Sequence, residues 1–326
     1  MARSALDEAA DGMNNALTRR ARVRALAKIN LELRVLGQRP DGYHELRTIF
    51  HTISLADSIE IAFTPARRTT IELIDDLDIA DNLAARAASA AMDAMRLTGH
   101  VEMRLQKRIP MGAGLGGGSS DAAAVLLALP VLAGRSLAMD RLCQLGEQLG
   151  SDVPFFLLGG AAVGIGRGTE LFPLPDGRPL SGILVSPGIH ISTAEAYRLL
   201  NSRLTSESQQ NKMVTFQSRV WDGGVSRAAC NDFETVVTEQ YGIIGAIKKR
   251  MLRAGASMAL MTGSGSAVYG IFPGSAQASE VFRVFRKEKA FRFSLVSRAR
   301  YRAMWWRTLE EHITAKVWPP RNRKER

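Results

Sequence analysis

Residues 110–123 read PMGAGLGGGSSDAA, and no packed core requires five glycines in fourteen positions. The stretch follows an alternating segment, HVEMRLQKRIP (100–110), that reads as a strand. It precedes an apolar run, SSDAAAVLLALPVLAG (119–134), that reads as a helix beginning at the serines. A glycine loop that carries a strand into a helix presents backbone N–H groups at the helix N-terminus, where the helix dipole favours negative charge. Glycine also permits positive φ and leaves room for a phosphate to approach the backbone. The expected ligand is a phosphate chain.

The common phosphate loops do not fit. Gly112, Gly114 and Gly117 match G-x-G-x-x-G, but a dinucleotide fold also needs an acid ending a second strand about 20 residues on. Asp140 stands near that distance, inside a helical stretch. No lysine follows the glycines, which excludes the Walker A loop. The glycine-rich loop of protein kinases lies between two strands, whereas a helix follows here. A flexible linker does not run straight into an apolar helix.

The rest of the chain frames this loop. RVRALAKINLELRVLG (22–37) alternates, with Val23, Ala25, Ala27, Ile29, Leu31, Leu33 and Val35 on one side and Lys28 and Asn30 on the other. A Pro40-Asp41-Gly42 turn leads to further strands. NLAARAASAAMDAMRLTG (82–99) reads as a helix stopped by Gly99, and SLAMDRLCQLGEQLG (136–150) as another ended by Gly150. PLPDGRPLSG (173–182) marks a domain boundary. Beyond it come the buried strand GILVSPG, the helix STAEAYRLL with a Ser-x-x-Glu capping box, a polar stretch over 201–227, a helix from Asp232, and a strand–loop–strand unit, ASMALMTGSGSAVYGIF (256–272). A helix and a strand follow to residue 300. Strands and helices mix without a strict βαβ rhythm, so the expected class is α+β.

Charge and cysteines set limits. The 326 residues carry a net charge of +11, of which +4 lies in the last 26 residues. A basic chain invites a nucleic-acid reading, but spread positive charge also suits an enzyme with polyanionic substrates. No apolar run is long enough to span a membrane. The N-terminus lacks a secretory apolar region, and Cys143 and Cys230 give no disulfide framework. The expected location is the cytoplasm. Oligomeric state is not legible.

PMGAGLGGGSSDAA resembles the ATP-binding motif of the galactokinase, homoserine kinase, mevalonate kinase and phosphomevalonate kinase (GHMP) superfamily. The tripled Gly116-Gly117-Gly118 before Ser119-Ser120 is most similar to the branch whose acceptor is a cytidine diphosphate-linked methylerythritol. Three further stretches are similar to motifs of that branch, in order: AKINLELRVLGQRPDGYHELRTIF (27–50), GSDVPFFLLGGAAVGIGRG (150–168) and TGSGSAVYGIF (262–272). The resemblance covers roughly residues 22–300. It implies a two-domain α+β fold, with an ATP-binding domain over 22–175, a second domain over 176–300, and the active site in the cleft between them. Residues 1–21 form an extension and 301–326 a basic tail holding three of the four tryptophans.

The same resemblance assigns residues. Asp152 falls on the catalytic aspartate. By spacing alone it is also a helix N-cap ahead of Pro154, and both roles can hold together. Lys28 falls beside that aspartate, where it would steady the carboxylate and the hydroxyl nucleophile; otherwise it is a solvated strand lysine. Pro110, Met111, Gly112, Ala113, Gly114, Leu115, Gly116, Gly117, Gly118, Ser119 and Ser120 would hold ATP, joined by Gly263, Ser264 and Gly265 from the second domain. Asn30 would help bind the acceptor. Tyr43 would stack on the cytosine, His44 hydrogen-bond its edge and Phe50 complete the pocket. Tyr197 would lie across the base, where the family pattern has Phe, and Thr193 stands near the same helix start. A stacked base gains about 1–3 kcal/mol. Mg²⁺ follows from the phosphate chemistry, with no protein ligand assigned. The competing expectations are a sibling kinase for mevalonate or homoserine, against which GYHELRTIF argues because those acceptors have no base, and a nucleic-acid-binding protein using the basic tail.

Overall fold

The computed structural model describes residues 18–201 and 229–322. Residues 1–17, most of the polar stretch after 201 and the last four residues lie outside it. The first half begins with two long antiparallel strands, β1 (Arg19–Gln38) and β2 (His44–Pro65), joined by a turn at Gly42. There follow β3 (Thr70–Asp75), α1 (Leu83–Met95), β4 (Gly99–Gln106), α2 (Gly117–Leu132), α3 (Met139–Leu149), α4 (Val153–Leu158), β5 (Ala161–Gly166) and β6 (Glu170–Pro173). The second half comprises β7 (Ser181–Ser186), α5 (Thr193–Asn201), β8 (Cys230–Asn231), α6 (Asp232–Gln240), α7 (Gly242–Arg253), β9 (Met258–Met261), β10 (Val268–Phe272), α8 (Ser275–Val284), β11 (Lys289–Ser294) and α9 (Arg298–Thr308).

Two sheets result. The first runs β3-β4-β2-β1-β8, with β5 on the other part of β2 and β6 on β5; the second runs β11-β7-β10-β9 and is antiparallel throughout. The change of sheet falls between β6 and β7, within the Pro- and Gly-rich stretch. Mixed parallel and antiparallel pairing with segregated helices is the α+β class.

β1 is the member shared by both halves. Its ends alternate between exposed and buried, but its centre is buried continuously. Val23 and Ala25 pack with α1, α2 and α4, whereas Ala27, Ile29 and Leu31 pack with Tyr269, Ile271 and Phe293 of the second sheet. The expected single apolar face from Val23 to Val35 is therefore divided. The cause is register: the β1–β2 ladder shifts between Leu26 and Lys28 and again between Asn30 and Glu32. Such irregularities re-aim side chains next to sites.

Two helix ends differ from expectation. α1 stops at a left-handed Arg96, not at Gly99. Gly99 opens β4 instead, since a Cβ there would sit 2.4 Å from the Phe63 ring. α2 starts at Gly117, two residues before the serines. It is apolar all round and buried from Ser120 to Leu132, as befits a central helix.

The segment after residue 297 is part of the first half's core. Asp176 accepts the N–H groups of Arg298 and Ala299, fixing the start of α9. The Tyr301 hydroxyl donates to Phe156 O at 2.6 Å, Trp318 Nε1 to Leu157 O at 3.0 Å, and Asn322 Nδ2 to Val131 O at 2.8 Å. Trp305 is buried in the same cluster as α1 and α2. A solvated tail would lose less than about 0.5 kcal/mol on truncation of one side chain. Trp305→Ala is expected to lower stability by about 3–5 kcal/mol in urea unfolding.

Candidate functional site

A cleft of about 1010 Å³ opens between the halves. Lys28, Asn30, Tyr43, His44, Phe50, residues 110–119, Asp152, Thr193, Tyr197 and Gly263–Gly265 all line it. Ser120 is the exception among the expected residues. It is buried on the inner side of α2, and its hydroxyl donates to Leu26 O at 2.7 Å, so it ties the helix to β1 rather than facing a ligand.

The glycine loop ends at Gly116, the N-cap of α2, which is left-handed (φ 68°) and offers no capping side chain. The first-turn N–H groups of α2 are thus left for an anion. Gly114 meets a different demand. A Cβ there would sit 2.1 Å from Thr262 O, and one on Gly263 would sit 2.9 Å from Gly114 Cα. The two glycine loops touch backbone to backbone, and Thr262 Oγ1 donates to Gly114 O at 3.3 Å. Ser119 faces the Gly150 turn, where a Cβ would lie 3.7 Å from its hydroxyl.

Asp152 does occupy the N-cap position of α4, yet its carboxylate makes no capping hydrogen bond. It turns to Lys28 instead, with Oδ2 3.4 Å from Nζ. Lys28 is buried (4% exposed) and Asp152 half-buried. The ammonium also donates to Asn30 Oδ1 at 2.8 Å and lies 5.2 Å from the Phe50 ring centre. These contacts offset the desolvation of a buried cation. Asn30 is engaged on every side: Nδ2 donates to Thr48 Oγ1 at 2.7 Å, and Oδ1 also accepts Gly263 N–H at 3.0 Å. The structure gives Asn30 the job of holding Lys28 and the second glycine loop. Phe50 lies under Lys28 against Phe155, centroids 4.9 Å apart, and lines the cleft.

One end of the cleft is aromatic. His44 stacks on Tyr197 with centroids 4.1 Å apart and planes at 18°, and Tyr197 meets Phe233 edge-on. Burial, with the Asp152 charge adding to it, pushes the Tyr197 phenol up to about 12, so it stays neutral. Tyr43 is half exposed, and the Arg167 guanidinium lies 3.6 Å from its ring centre. Thr193 Oγ1 and Ser264 Oγ stand 3.3 Å apart at the rim. Arg167, His190 and Phe233 are lining residues that the sequence reading missed; Arg167 lay inside a quoted motif, between Gly166 and Gly168.

The other end is lined by Ile79, Asn82, Leu83, Ile109 and Met111, with Lys107 and Asp121 behind. Lys107 Nζ donates to Asp57 Oδ2 at 2.5 Å and to Asp121 Oδ2 at 2.7 Å, all three being buried. Asp57 Oδ1 accepts the N–H groups of Arg108 and Ile109, pinning the backbone that enters the loop. None of this cluster was expected from sequence. Burial pushes the Asp121 carboxyl up from its ordinary 3.8 to about 7, Lys107 pulling against it and Asp57 pushing with it.

Comparison with known proteins places this arrangement. Residues 82–160 match the family described as GHMP kinases N terminal domain, and residues 223–290 match GHMP kinases C terminal. The chain is 64% identical over 310 residues to a 4-diphosphocytidyl-2-C-methyl-D-erythritol kinase of Solibacter usitatus (strain Ellin6076), covering 94% of this chain and 98% of that protein. It belongs to the 4-diphosphocytidyl-2-C-methyl-D-erythritol kinase family of GHMP kinases. A family member from Geobacter metallireducens is 42% identical over 258 residues, 78% of this chain and 90% of that one. The crystal structure of a 4-(cytidine 5'-diphospho)-2C-methyl-D-erythritol kinase superposes with a TM-score of 0.70 at 35% identity, over 84% of this chain and 98% of that chain. A homoserine kinase from Cytophaga hutchinsonii shares the fold alone, with a TM-score of 0.65 at 16% identity over 85% of this chain and 95% of that chain.

The raised Asp121 carboxyl has a stability consequence. It binds its proton more tightly folded than unfolded, so between about pH 4 and pH 7 stability falls as pH rises, and the loss is complete above the folded value. Asp121→Asn is expected to remove that component, read as a flatter dependence of the urea midpoint between about pH 5 and pH 8. An unchanged slope would place the titration elsewhere.

Proposed function

We propose that the protein transfers the γ-phosphoryl group of ATP to the 2-hydroxyl of 4-diphosphocytidyl-2-C-methyl-D-erythritol, giving its 2-phosphate and ADP. The observation that carries this reading is the position of the Lys28–Asp152 pair. It lies in the cleft with the anion-ready start of α2 on one side and the Tyr43–His44–Tyr197 aromatics on the other. A triphosphate and a base-bearing acceptor fit those two ends, and the pair between them meets the reacting hydroxyl. The names of the relatives point to the same acceptor.

The chemistry asks for positioning and charge stabilisation. Asp152 accepts the proton of the 2-hydroxyl as its oxygen bonds to the γ-phosphorus, and the bond to the β–γ bridging oxygen breaks, releasing ADP. Lys28 steadies the carboxylate and the negative charge gathering between the two oxygens. The N–H groups opening α2 hold the phosphates. ATP enters as its Mg²⁺ complex. Tyr43, His44 and Tyr197 receive the cytosine, and His44 must leave its stacked place on Tyr197 for a ring to enter between them. The Arg167 guanidinium, exposed beside Tyr43, faces the acceptor's negative charge. Work of this kind belongs in the cytoplasm.

Release of ADP from Mg-ATP with the cytidine-bearing acceptor, with mevalonate and homoserine in parallel, tests the reading. Turnover is expected with the first alone, and Asp152→Asn is expected to lower kcat by about 10²–10⁴-fold. No turnover with the cytidine substrate sinks the acceptor assignment. Arg167→Ala is expected to raise the acceptor KM by about tenfold while leaving the KM for ATP unchanged, equivalent to about 1.4 kcal/mol. Equal shifts in both constants would remove Arg167 from the acceptor end.

A further inference from the structure

Asn231 is outside every motif quoted from the sequence, buried where the two-residue strand β8 pairs with Leu33 of β1. Its carboxamide is fully used. Oδ1 accepts Phe233 N–H at 3.0 Å and caps α6. Nδ2 donates to Met261 O at 2.8 Å and to Gly263 O at 2.9 Å. The same helical turn holds the loop once more, since Glu234 Oε1 accepts Met261 N–H at 3.0 Å. Gly263 is therefore gripped from two sides, its N–H by Asn30 and its carbonyl by Asn231. Gly265 N–H is spent on Thr262 O. Ser264, between them, lines the cleft, with its hydroxyl 3.3 Å from Thr193 Oγ1.

Resting on the proposed kinase reading, we propose that Asn231 is a positioning residue for phosphoryl transfer. It sets Ser264 against the triphosphate and couples that placement to the acceptor end. The coupling is structural: the N–H that Asn231 caps belongs to Phe233, whose ring supports Tyr197. One side chain thus spaces the loop from the wall of the base pocket. Asn231 touches no reacting atom. Its contribution is geometric, and a small misplacement of groups around a transferring phosphoryl lowers rate strongly.

Asn231→Asp separates capping from positioning. The carboxylate keeps an acceptor for Phe233 N–H, and Asp is as good an N-cap as Asn. It loses both donors and sets negative charge against two carbonyl oxygens. With the fold intact by thermal unfolding, kcat is expected to fall by about 100-fold or more while the KM for ATP moves less than about threefold. Amide exchange in a peptide spanning 258–268 is expected to quicken at least about tenfold, with exchange in α2 unchanged. Asn231→Ser, which caps but cannot reach both carbonyls, serves if the aspartate variant fails to fold. Wild-type kcat per folded molecule, or wild-type exchange in that peptide, overturns the proposal. Should the wild type itself not turn over the cytidine substrate, the kinase reading fails, and the exchange result still decides whether Asn231 holds the loop.

Discussion

The two sides of the cleft meet on one oxygen, Oδ1 of Asn30. It accepts from the Lys28 ammonium at 2.8 Å and from Gly263 N–H at 3.0 Å, with the Thr262 hydroxyl 3.3 Å away and shared with Gly114 O. Lys28 belongs to the first half, and Gly263 and Thr262 to the second. An amide oxygen has two lone-pair directions, and the Lys28 and Gly263 donors fill both. Removing it would leave a buried N–H without its acceptor and the buried Lys28 ammonium with the Asp152 carboxylate at 3.4 Å as its remaining anion, a cost above that of the bonds lost. Lys28 and the loop opposite it are held by the same acceptor, so a shift of one bears on the other.

That oxygen is where it is because β1 is irregular. A regular strand from Arg19 to Gln38 would send alternate residues to a single core for its whole length. The register shifts on either side of Lys28 and Asn30 allow Val23 and Ala25 to pack under the helices and Ile29 and Leu31 to pack under the second sheet. Tyr269, from β10, donates its hydroxyl to Asn30 O at 2.9 Å, fastening the strand at the same residue. The two halves therefore share a core strand as well as facing each other across a gap. The binding groups stand on a frame whose two parts are already joined.

The sequence disclosed the features written in local chemistry. Five glycines entering an apolar helix announced an anion site, and the alternation around Lys28 announced a strand. Asp152 could be read both as a cap and as a base, and only the structure shows a carboxylate that leaves its cap unmade and faces Lys28. What stayed hidden was long-range. Asp57, Lys107 and Asp121 are unremarkable charges until β2, β4 and α2 bury them together. Asn231 sits beside the acidic start of an ordinary amphipathic helix. Residues 301–326 read as a basic tail because composition carries no information on where a chain returns. The apolar bulk of Tyr301, Trp305 and Trp318 was the available sign that it does return.

The cleft's two ends follow different physical logics, and this explains why the chemistry sits between them. At the loop end the protein offers backbone, because bare N–H groups at a helix start bind anions without a mobile side chain to order. Charge is kept below the surface there, in a cluster with one cation to two carboxylates, which fixes the loop's entry through Asp57 and its helix through Asp121. At the aromatic end the protein offers faces, with His44 already resting on Tyr197 as a ring would. A rigid anion cradle and a wall of stacking surfaces each define a direction and a spacing. On the proposed reading, a phosphate chain held at one end and a base at the other bring the reacting atoms to the position covered by Lys28 and Asp152. On that reading, specificity for both partners and the placement of the transfer come from the same geometry.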